Sequence, residues 1–205
     1  MATKKSSKAE QTLRLVARLG MARPKDAAPF GIEPFHFRRL LNQGKLSQVA
    51  RGIYRLAQDE PSSHPHHRLA EAAKRVPHAV VCLQSALHFH RLAKQAPPEV
   101  WLAIDRKARR PSVEGMAIRF VRFSGAALRQ GFEEHSVEGL PVRVTTCTKT
   151  VADCFKYRNK IGLDVALQAL RECIRQKRCP KDELVKCAKL CRMTGVMRPY
   201  LEVLA

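Results

Sequence analysis

Apolar side chains near the start of the chain recur at helical spacing three times before the pattern changes. Leu13, Val16 and Leu19 follow one another every third residue and predict a helix that ends at Gly20. Proline in the first turn and glycine beyond the last turn mark further helices. The predicted helices cover 9–19, 23–28 and 34–44.

The pattern of side chains changes after Gly44 from helical spacing to short runs typical of strands. Two short β-leaning runs, 46–49 and 53–56, flank a turn in which Gly52 supplies the conformation that a tight hairpin needs. Three short helices followed by a two-stranded hairpin is the order of a winged helix-turn-helix.

The remaining chain mixes helices and strands behind a polar, proline-punctuated stretch that is typical of a linker. Helices are predicted over 66–75, 84–93, 147–158, 163–176, 181–192 and 197–204. Strands are predicted over 79–83, 100–105, 117–123, 132–137 and 140–146. Because the strands cluster in the middle and the helices at the end, the pattern favours an α+β fold over an alternating α/β fold. The predicted organisation is a basic disordered tail over 1–8, a winged helix-turn-helix over 9–57, a linker over 58–65 and a mixed α+β C-terminal domain over 66–205.

Charge adds a class of partner to this picture. The 205 residues include 38 Lys and Arg against 18 Asp and Glu, a net charge of +20. Such a chain favours polyanions, with nucleic acid ahead of an anionic membrane surface. Residues 1–57 hold 12 basic and 3 acidic side chains, so the predicted DNA-binding part alone carries +9.

The third helix offers a face suited to the major groove. With Phe37, Leu40 and Leu41 turned to the core, Arg39 and Asn42 point away from it. Arginine pairs with guanine and asparagine with adenine through two hydrogen bonds each. The flanks of this helix, the hairpin and the second helix supply further contacts to bases or phosphate. The predicted DNA-binding residues are Arg23, Lys25, Phe35, His36, Arg38, Arg39, Asn42, Gln43, Lys45, Arg51 and Arg55.

Cysteine usage and the chain start argue against a metal site and against export. The seven cysteines include no Cys-x-x-Cys pair, and Arg14 and Arg18 interrupt the first apolar stretch, which therefore lacks a signal core. No segment reaches the roughly 18 apolar residues of a membrane span. We therefore expect a cytoplasmic protein without membrane contact, metal or cofactor, whose cysteines are free thiols. No spacing brings together a catalytic set, so the sequence predicts no enzyme.

Several strings, in chain order, resemble one family. The strings VARGIYRL at 49–56, KTVADCFKYR at 149–158 and GLDVALQAL at 162–170 are similar to the AbiEi antitoxin and transcriptional regulator family. Shorter matches at 44–46, 85–90, 97–104 and 197–201 extend the resemblance over nearly the whole chain.

The resemblance implies a winged-helix DNA-binding domain joined to a C-terminal domain required for antitoxin activity. It implies a repressor that binds double-stranded operator DNA upstream of its own operon. It further implies a type IV toxin–antitoxin system, in which the protein counteracts a nucleotidyltransferase-like toxin without a stable complex. The antitoxin-domain candidates that follow from it are Lys149, Asp153, Lys156, Arg158 and Lys160.

Three alternatives remain open at this point. The chain is a solo transcriptional regulator without a toxin, or its C-terminal domain is an enzyme acting on nucleic acid, with Asp105, Asp153 and Asp164 as the acidic centres. In the third alternative the basic C-terminal helices bind a protein or RNA partner.

Overall fold

A computed structural model of the protein describes residues 7–58 and 64–203. The predicted linker falls mostly on 59–63 and the predicted tail mostly on 1–6, outside the described residues. Ser7 caps the first helix in a reciprocal arrangement with Glu10, so that helix begins at Lys8, within the predicted tail. The chain divides into two units, one of the residues up to Arg75 together with Ser136–Pro141 and one of the remainder.

The first unit contains the three predicted helices and the hairpin, in the predicted order. Its elements are α1 (Lys8–Leu19), α2 (Pro24–Ala27) continued by a 3-10 turn at Ala28–Phe30, α3 (Pro34–Asn42), β1 (Leu46–Ala50), β2 (Ile53–Leu56) and α4 (His67–Arg75). The predicted α+β class with an N-terminal winged helix-turn-helix is confirmed.

A small apolar core fixes α3 in this unit. Phe37 and Leu40 on α3 pack with Leu15 and Val16 on α1 and with Leu46 at the start of β1. All five side chains are buried. The inward face of α3 is therefore tied to both the preceding helix and the hairpin that follows.

Helix α4 belongs to the first unit. The predicted boundaries place the same residues in the C-terminal domain. The Arg75 guanidinium donates to the Val49 carbonyl oxygen at 2.9 Å, and the Lys74 ammonium pairs with Asp26. The Arg23 guanidinium donates to the carbonyl oxygen of Lys74. These contacts join α4 to residues of the first unit that are far away in the chain.

The second unit is built on a mixed sheet whose strand order is β5-β4-β3-β7-β6. The strands are β3 (Val80–Val81), β4 (Val100–Asp105), β5 (Ile118–Phe123), β6 (Phe132–Val137) and β7 (Leu140–Thr145). The end of β6 and the start of β7, within Ser136–Pro141, are counted with the first unit. Its helices are α5 (Leu83–Phe89), α6 (Ala126–Arg129), α7 (Cys147–Lys156), α8 (Arg158–Ile161), α9 (Leu163–Arg175), α10 (Lys181–Cys191) and α11 (Thr194–Val203). The predicted strand over 79–83 shortens to two residues, and the predicted helix over 84–93 ends at Phe89, just before Arg91 takes a positive φ of 59°. The predicted helix over 147–158 breaks at Tyr157, and the sequence did not predict α6 or α8.

Helix α7 is buried from Cys147 to Phe155 and carries an ion pair inside the core. The Lys149 Nζ lies 2.5 Å from Asp153 Oδ2 one turn later, and both side chains are about 1% exposed. The Cys191 Sγ donates to the other Asp153 oxygen at 3.2 Å, and the Lys149 ammonium lies 4.5 Å from the centre of the Phe123 ring. Burial raises the pKa of Asp153, while the Lys149 charge acts in the opposite direction.

Gly131 makes room for this lysine. Its backbone has a φ of +71°, and a Cβ at this position would collide with the Lys149 side chain. The backbone before β6 therefore approaches Lys149 closely because this residue has no side chain.

The expectation that all seven cysteines are free thiols is wrong for two of them. Cys173 and Cys179 are joined by a disulfide across the turn between α9 and α10, where their Cα atoms lie 5.6 Å apart, within the range that a disulfide spans. Cys82, Cys147, Cys154, Cys187 and Cys191 are free. None of the described helices combines the length and the apolar character needed to cross a bilayer.

Replacing Asp153 by alanine should strongly destabilise the second unit. The substitution leaves the Lys149 ammonium buried without its counter-ion, a change that typically costs about 3–5 kcal/mol. The matched control is Asp182→Ala, which breaks an exposed Lys–Asp pair with the same i,i+4 spacing and should change stability little. Urea denaturation followed by circular dichroism measures both variants. Equal stability of the two variants would contradict a structural role for the buried pair.

Candidate nucleic-acid interface

Helix α3 presents the predicted reading face to solvent. Arg39 and Asn42 are exposed, and Phe35 is 54% exposed although it is a large apolar side chain. The flanking residues Arg38 and Gln43 are exposed as well. The helix therefore carries hydrogen-bonding side chains and one aromatic ring on its open side while Phe37 and Leu40 hold its other side.

His36 differs from its neighbours on α3. Its ring lies 3.9 Å from the Phe35 ring, centroid to centroid, and its Nδ1 is buried with no hydrogen-bond partner among the described residues. The two rings are tilted against each other and lie side by side at the start of the helix.

The hairpin places a second basic element next to α3 in the chain. Strands β1 and β2 pair antiparallel, with a bulge between Gln48 and Ala50 that reduces the turn to Arg51 and Gly52. Gly52 has a φ of +71°, a conformation that favours glycine, and Arg51 at the tip is exposed. Arg55 is half-buried, and its Nε donates to Ser47 Oγ across the ladder at 3.2 Å.

A short bridge holds this wing to the helices. The Ala22 and Tyr54 backbones exchange two hydrogen bonds of 2.9 Å each, so that the segment between α1 and α2 adds a third, minimal strand to the hairpin. The Phe37 ring lies 5.3 Å from the Tyr54 ring, which joins α3 to the same point. The wing and α3 are thus held by the same small set of contacts.

The charged Lys, Arg, Asp and Glu side chains in the stretch that contains α3 and the wing are all positive. Between Glu33 and Asp59 the sequence contains five Lys and Arg side chains and no carboxylate. Exposed Arg38, Arg39, Lys45 and Arg51 belong to this stretch. Because no carboxylate in this stretch neutralises these charges, the basic side chains are available to attract phosphate.

The two predicted DNA contacts at the start of α2, Arg23 and Lys25, differ in their surroundings. Lys25 is exposed, whereas the Arg23 guanidinium is directed to the carbonyl oxygen of Lys74 in α4. Partial burial raises the pKa of Asp26, but the Lys74 ammonium and the Arg23 N–H outweigh it and hold that pKa below its usual value. In this structure Arg23 links α2 to α4, so only Lys25 of the pair stands open to a ligand.

The antitoxin-domain candidates do not form one surface. Lys149 and Asp153 are buried in the core pair, Lys156 is half-buried, and Lys160 is exposed. Arg158 donates to the Phe155 carbonyl oxygen at 3.0 Å, which ties α8 to the end of α7. Of this set, Lys160 is the residue most open to a partner.

Sequence reasoning missed the residues that support the wing from α4. Lys74 and Arg75 lie beyond the predicted linker. The contact of Lys74 with Asp26 joins residues 48 positions apart, and that of Arg75 with the Val49 carbonyl oxygen joins residues 26 positions apart. No local pattern marks such pairs, because periodicity reports which face of a helix is buried and not what covers it.

Comparisons with known proteins agree with this architecture. The crystal structure of the RV2827C protein from Mycobacterium tuberculosis superposes with a TM-score of 0.59 over 92% of this chain and 73% of that chain, at 13% sequence identity. At this identity the match shows a shared fold. No curated protein matches the chain.

One protein-family model also matches, and it covers the surface described above. Residues 10–57 match the model described as "Transcriptional regulator, AbiEi antitoxin". This range runs from α1 to the end of the wing and includes the whole of α3. The resemblance is confirmed over residues 10–57, which match the model of the AbiEi antitoxin and transcriptional regulator family.

Proposed function

We propose that the protein is a sequence-specific DNA-binding repressor of its own operon and the antitoxin of a type IV toxin–antitoxin system. Its DNA partner is the double-stranded operator upstream of that operon. Its functional partner is a nucleotidyltransferase-like toxin that it counteracts without a stable complex. The family match over residues 10–57 supports the regulatory role.

The observation that carries the DNA-binding proposal is the open, carboxylate-free face of α3 beside a basic wing. Arg39 and Asn42 lie on the exposed side of a helix whose other side is locked by Phe37 and Leu40. A helix of this diameter fits the major groove, where each base pair shows a distinct set of donors and acceptors. Arg39 would bond to guanine and Asn42 to adenine.

The wing would supply contacts that carry less sequence information. Arg51 at the turn reaches phosphate or the edge of the adjacent minor groove, and Lys45 follows α3 directly. Such contacts fix the register of the protein on the duplex, while α3 distinguishes the bases.

The antitoxin half of the proposal rests on the second unit. Most of the family-like string at 149–158 lies in α7, and its charged residues Lys149 and Asp153 are buried. Toxin neutralisation would therefore depend on the exposed basic side chains that follow α7, with Lys160 as the first candidate.

We also infer that the protein is not an enzyme. Asp153, one of the three acidic centres of the enzymatic alternative, is bound by the Lys149 ammonium and by the Cys191 thiol. Its two carboxylate oxygens are engaged inside the core, so it is not open to a substrate phosphate or a metal ion.

The first prediction separates base reading from phosphate binding. Arg39→Ala should reduce the difference in binding free energy between operator and random DNA by about 1–3 kcal/mol, because it removes a base contact. Arg51→Ala should weaken binding to both DNAs alike and reduce the salt slope by about one. Mobility-shift titrations on the upstream intergenic DNA and on a shuffled duplex measure both quantities.

Arg14→Ala is the control, since Arg14 is an exposed arginine of the same unit on α1 and outside the proposed interface. It should leave both affinities unchanged. Operator binding by the native protein that is no tighter than binding to shuffled DNA would remove the repressor proposal. A reversed pattern between the two variants would mean that the roles of α3 and the wing are exchanged.

Salt should weaken operator binding steeply. If the protein makes about six phosphate contacts, its affinity should fall about 10³-fold between about 50 and 200 mM salt, through release of condensed counter-ions. Fluorescence anisotropy at several salt concentrations gives the slope. A slope near zero would contradict binding through the basic face.

Co-expression tests the antitoxin role separately. If a nucleotidyltransferase-like gene lies beside its own, the protein should restore growth of cells that express that gene. Lys160→Glu should reduce the rescue while operator affinity stays unchanged. Lys186→Glu reverses an exposed charge elsewhere in the second unit and serves as the control.

Failure of the native protein to rescue, with operator binding intact, would identify it as a solo regulator. Full rescue by Lys160→Glu would instead remove only the role of this residue.

A further inference from the structure

Three sulfur atoms meet at one place in the second unit, although the sequence separates their residues widely. Cys147 is the first residue of α7, Cys173 lies near the end of α9, and Cys179 lies in the turn before α10. Their sulfur atoms all lie within 4.8 Å of one another. Cys147 Sγ is 3.3 Å from Cys173 Sγ, which is bonded to Cys179.

We propose that Cys147, Cys173 and Cys179 form a binding site for a thiophilic divalent ion such as Zn²⁺, which is open when the Cys173–Cys179 disulfide is reduced and closed when it is formed. This inference is independent of the DNA-binding proposal.

The spacing of the sulfurs fits a thiolate metal site. With zinc–sulfur bonds of about 2.3 Å, two thiolates of a tetrahedral site lie about 3.8 Å apart. The separation of 3.3 Å between Cys147 and Cys173 is close to that value, and the 4.8 Å limit holds for each pair. Small shifts of the side chains would place all three around one ion. A disulfide alone needs two cysteines and does not account for the third.

The backbone around the cluster is held on several sides. The Arg178 backbone N–H donates to the Cys173 carbonyl oxygen at 3.1 Å, and the Arg178 guanidinium donates to the His90 carbonyl oxygen at 2.5 Å. On the other side, the Thr146 N–H donates to the Gly131 carbonyl oxygen at 2.9 Å and sets the start of α7. The ligand-bearing segments are therefore positioned before a metal arrives, which lowers the entropic cost of binding.

Positive charge near the cluster suits a site made of thiolates. The Arg178 cation lies close enough to Cys147 to act on its charge. Cys147 also sits at the N-terminus of a ten-residue helix, where the helix dipole favours negative charge. Three thiolates around Zn²⁺ carry a net charge of −1, which the Arg178 cation would offset.

Opening the site requires a reductant. An external dithiol supplies two electrons and two protons, the Cys173–Cys179 bond becomes two thiols, and the dithiol leaves as its own disulfide. Zn²⁺ then binds the three sulfurs, and their protons pass to water. The three sulfurs leave one position of a tetrahedral ion for water or another exchangeable ligand.

Cobalt provides a direct probe, since thiolate-bound Co²⁺ has an intense charge-transfer band. The full chain, reduced with a phosphine and freed of metal, should develop this band with saturation at about one ion per chain, and Zn²⁺ should abolish it by displacement. The oxidised protein should give no band. Cys147→Ser should lose the band or bind far more weakly. The control Cys187→Ser removes a half-buried cysteine outside the cluster and should behave like the native protein.

Cys147→His keeps a metal ligand at the same position and guards against a folding defect in the serine variant. It should retain saturation at about one ion with a weaker charge-transfer band, because one thiolate is replaced by imidazole. The proposal is overturned if the reduced native protein gives no band, or if a folded Cys147→Ser binds cobalt like the native protein.

Discussion

The second unit depends on a lysine and an aspartate that face each other inside its core. Two opposite charges about 1% exposed are costly to remove from water, and they are tolerated because each has partners. Lys149 lies over the Phe123 ring and against the backbone of Gly131, and Asp153 accepts from Cys191 at the end of α10. The pair thus fixes α7 against a strand, a turn and a neighbouring helix at once. A purely apolar helix in the same place would pack with less directional constraint.

This arrangement changes the meaning of the family-like string at 149–158. In the sequence, this string is one of those that resemble the family, and the antitoxin-domain candidates follow from it. In the structure most of the string lies in the buried helix α7, where Lys149 and Asp153 pair inside the core. The proposed contact with a partner therefore falls on the exposed residues that follow. The buried Lys149–Asp153 pair adds nothing to the net positive charge of the C-terminal part, because its two charges cancel.

The sequence predicted the winged part of the fold well because its signals are local. The apolar side of α3 follows from the spacing of Phe37 and Leu40, and the wing follows from Gly52 between two short runs. The exposed face that we propose to read DNA is the other side of the same helix. Its assignment to bases stays a prediction.

Other features arise from contacts that no local pattern reports. Arg23 was predicted to face phosphate but binds a carbonyl group of α4, 51 residues away. Cys147, Cys173 and Cys179 come together only because α7, α9 and the following turn pack against one another, and spacing along the chain does not show this. The short helices α6 and α8 have four residues each, too few for a hydrophobic period to be visible.

Whether α3 reads bases depends on which groove of the operator the protein occupies, and this can be measured. Dimethyl sulfate methylates guanine N7 in the major groove and adenine N3 in the minor groove, so one interference experiment on the operator reports on both. If α3 reads the bases, guanine N7 methylation within the site should block binding, and any effect of adenine N3 methylation should be confined to its flank. Binding that tolerates N7 methylation throughout the site but is abolished by central N3 methylation would contradict base reading by α3.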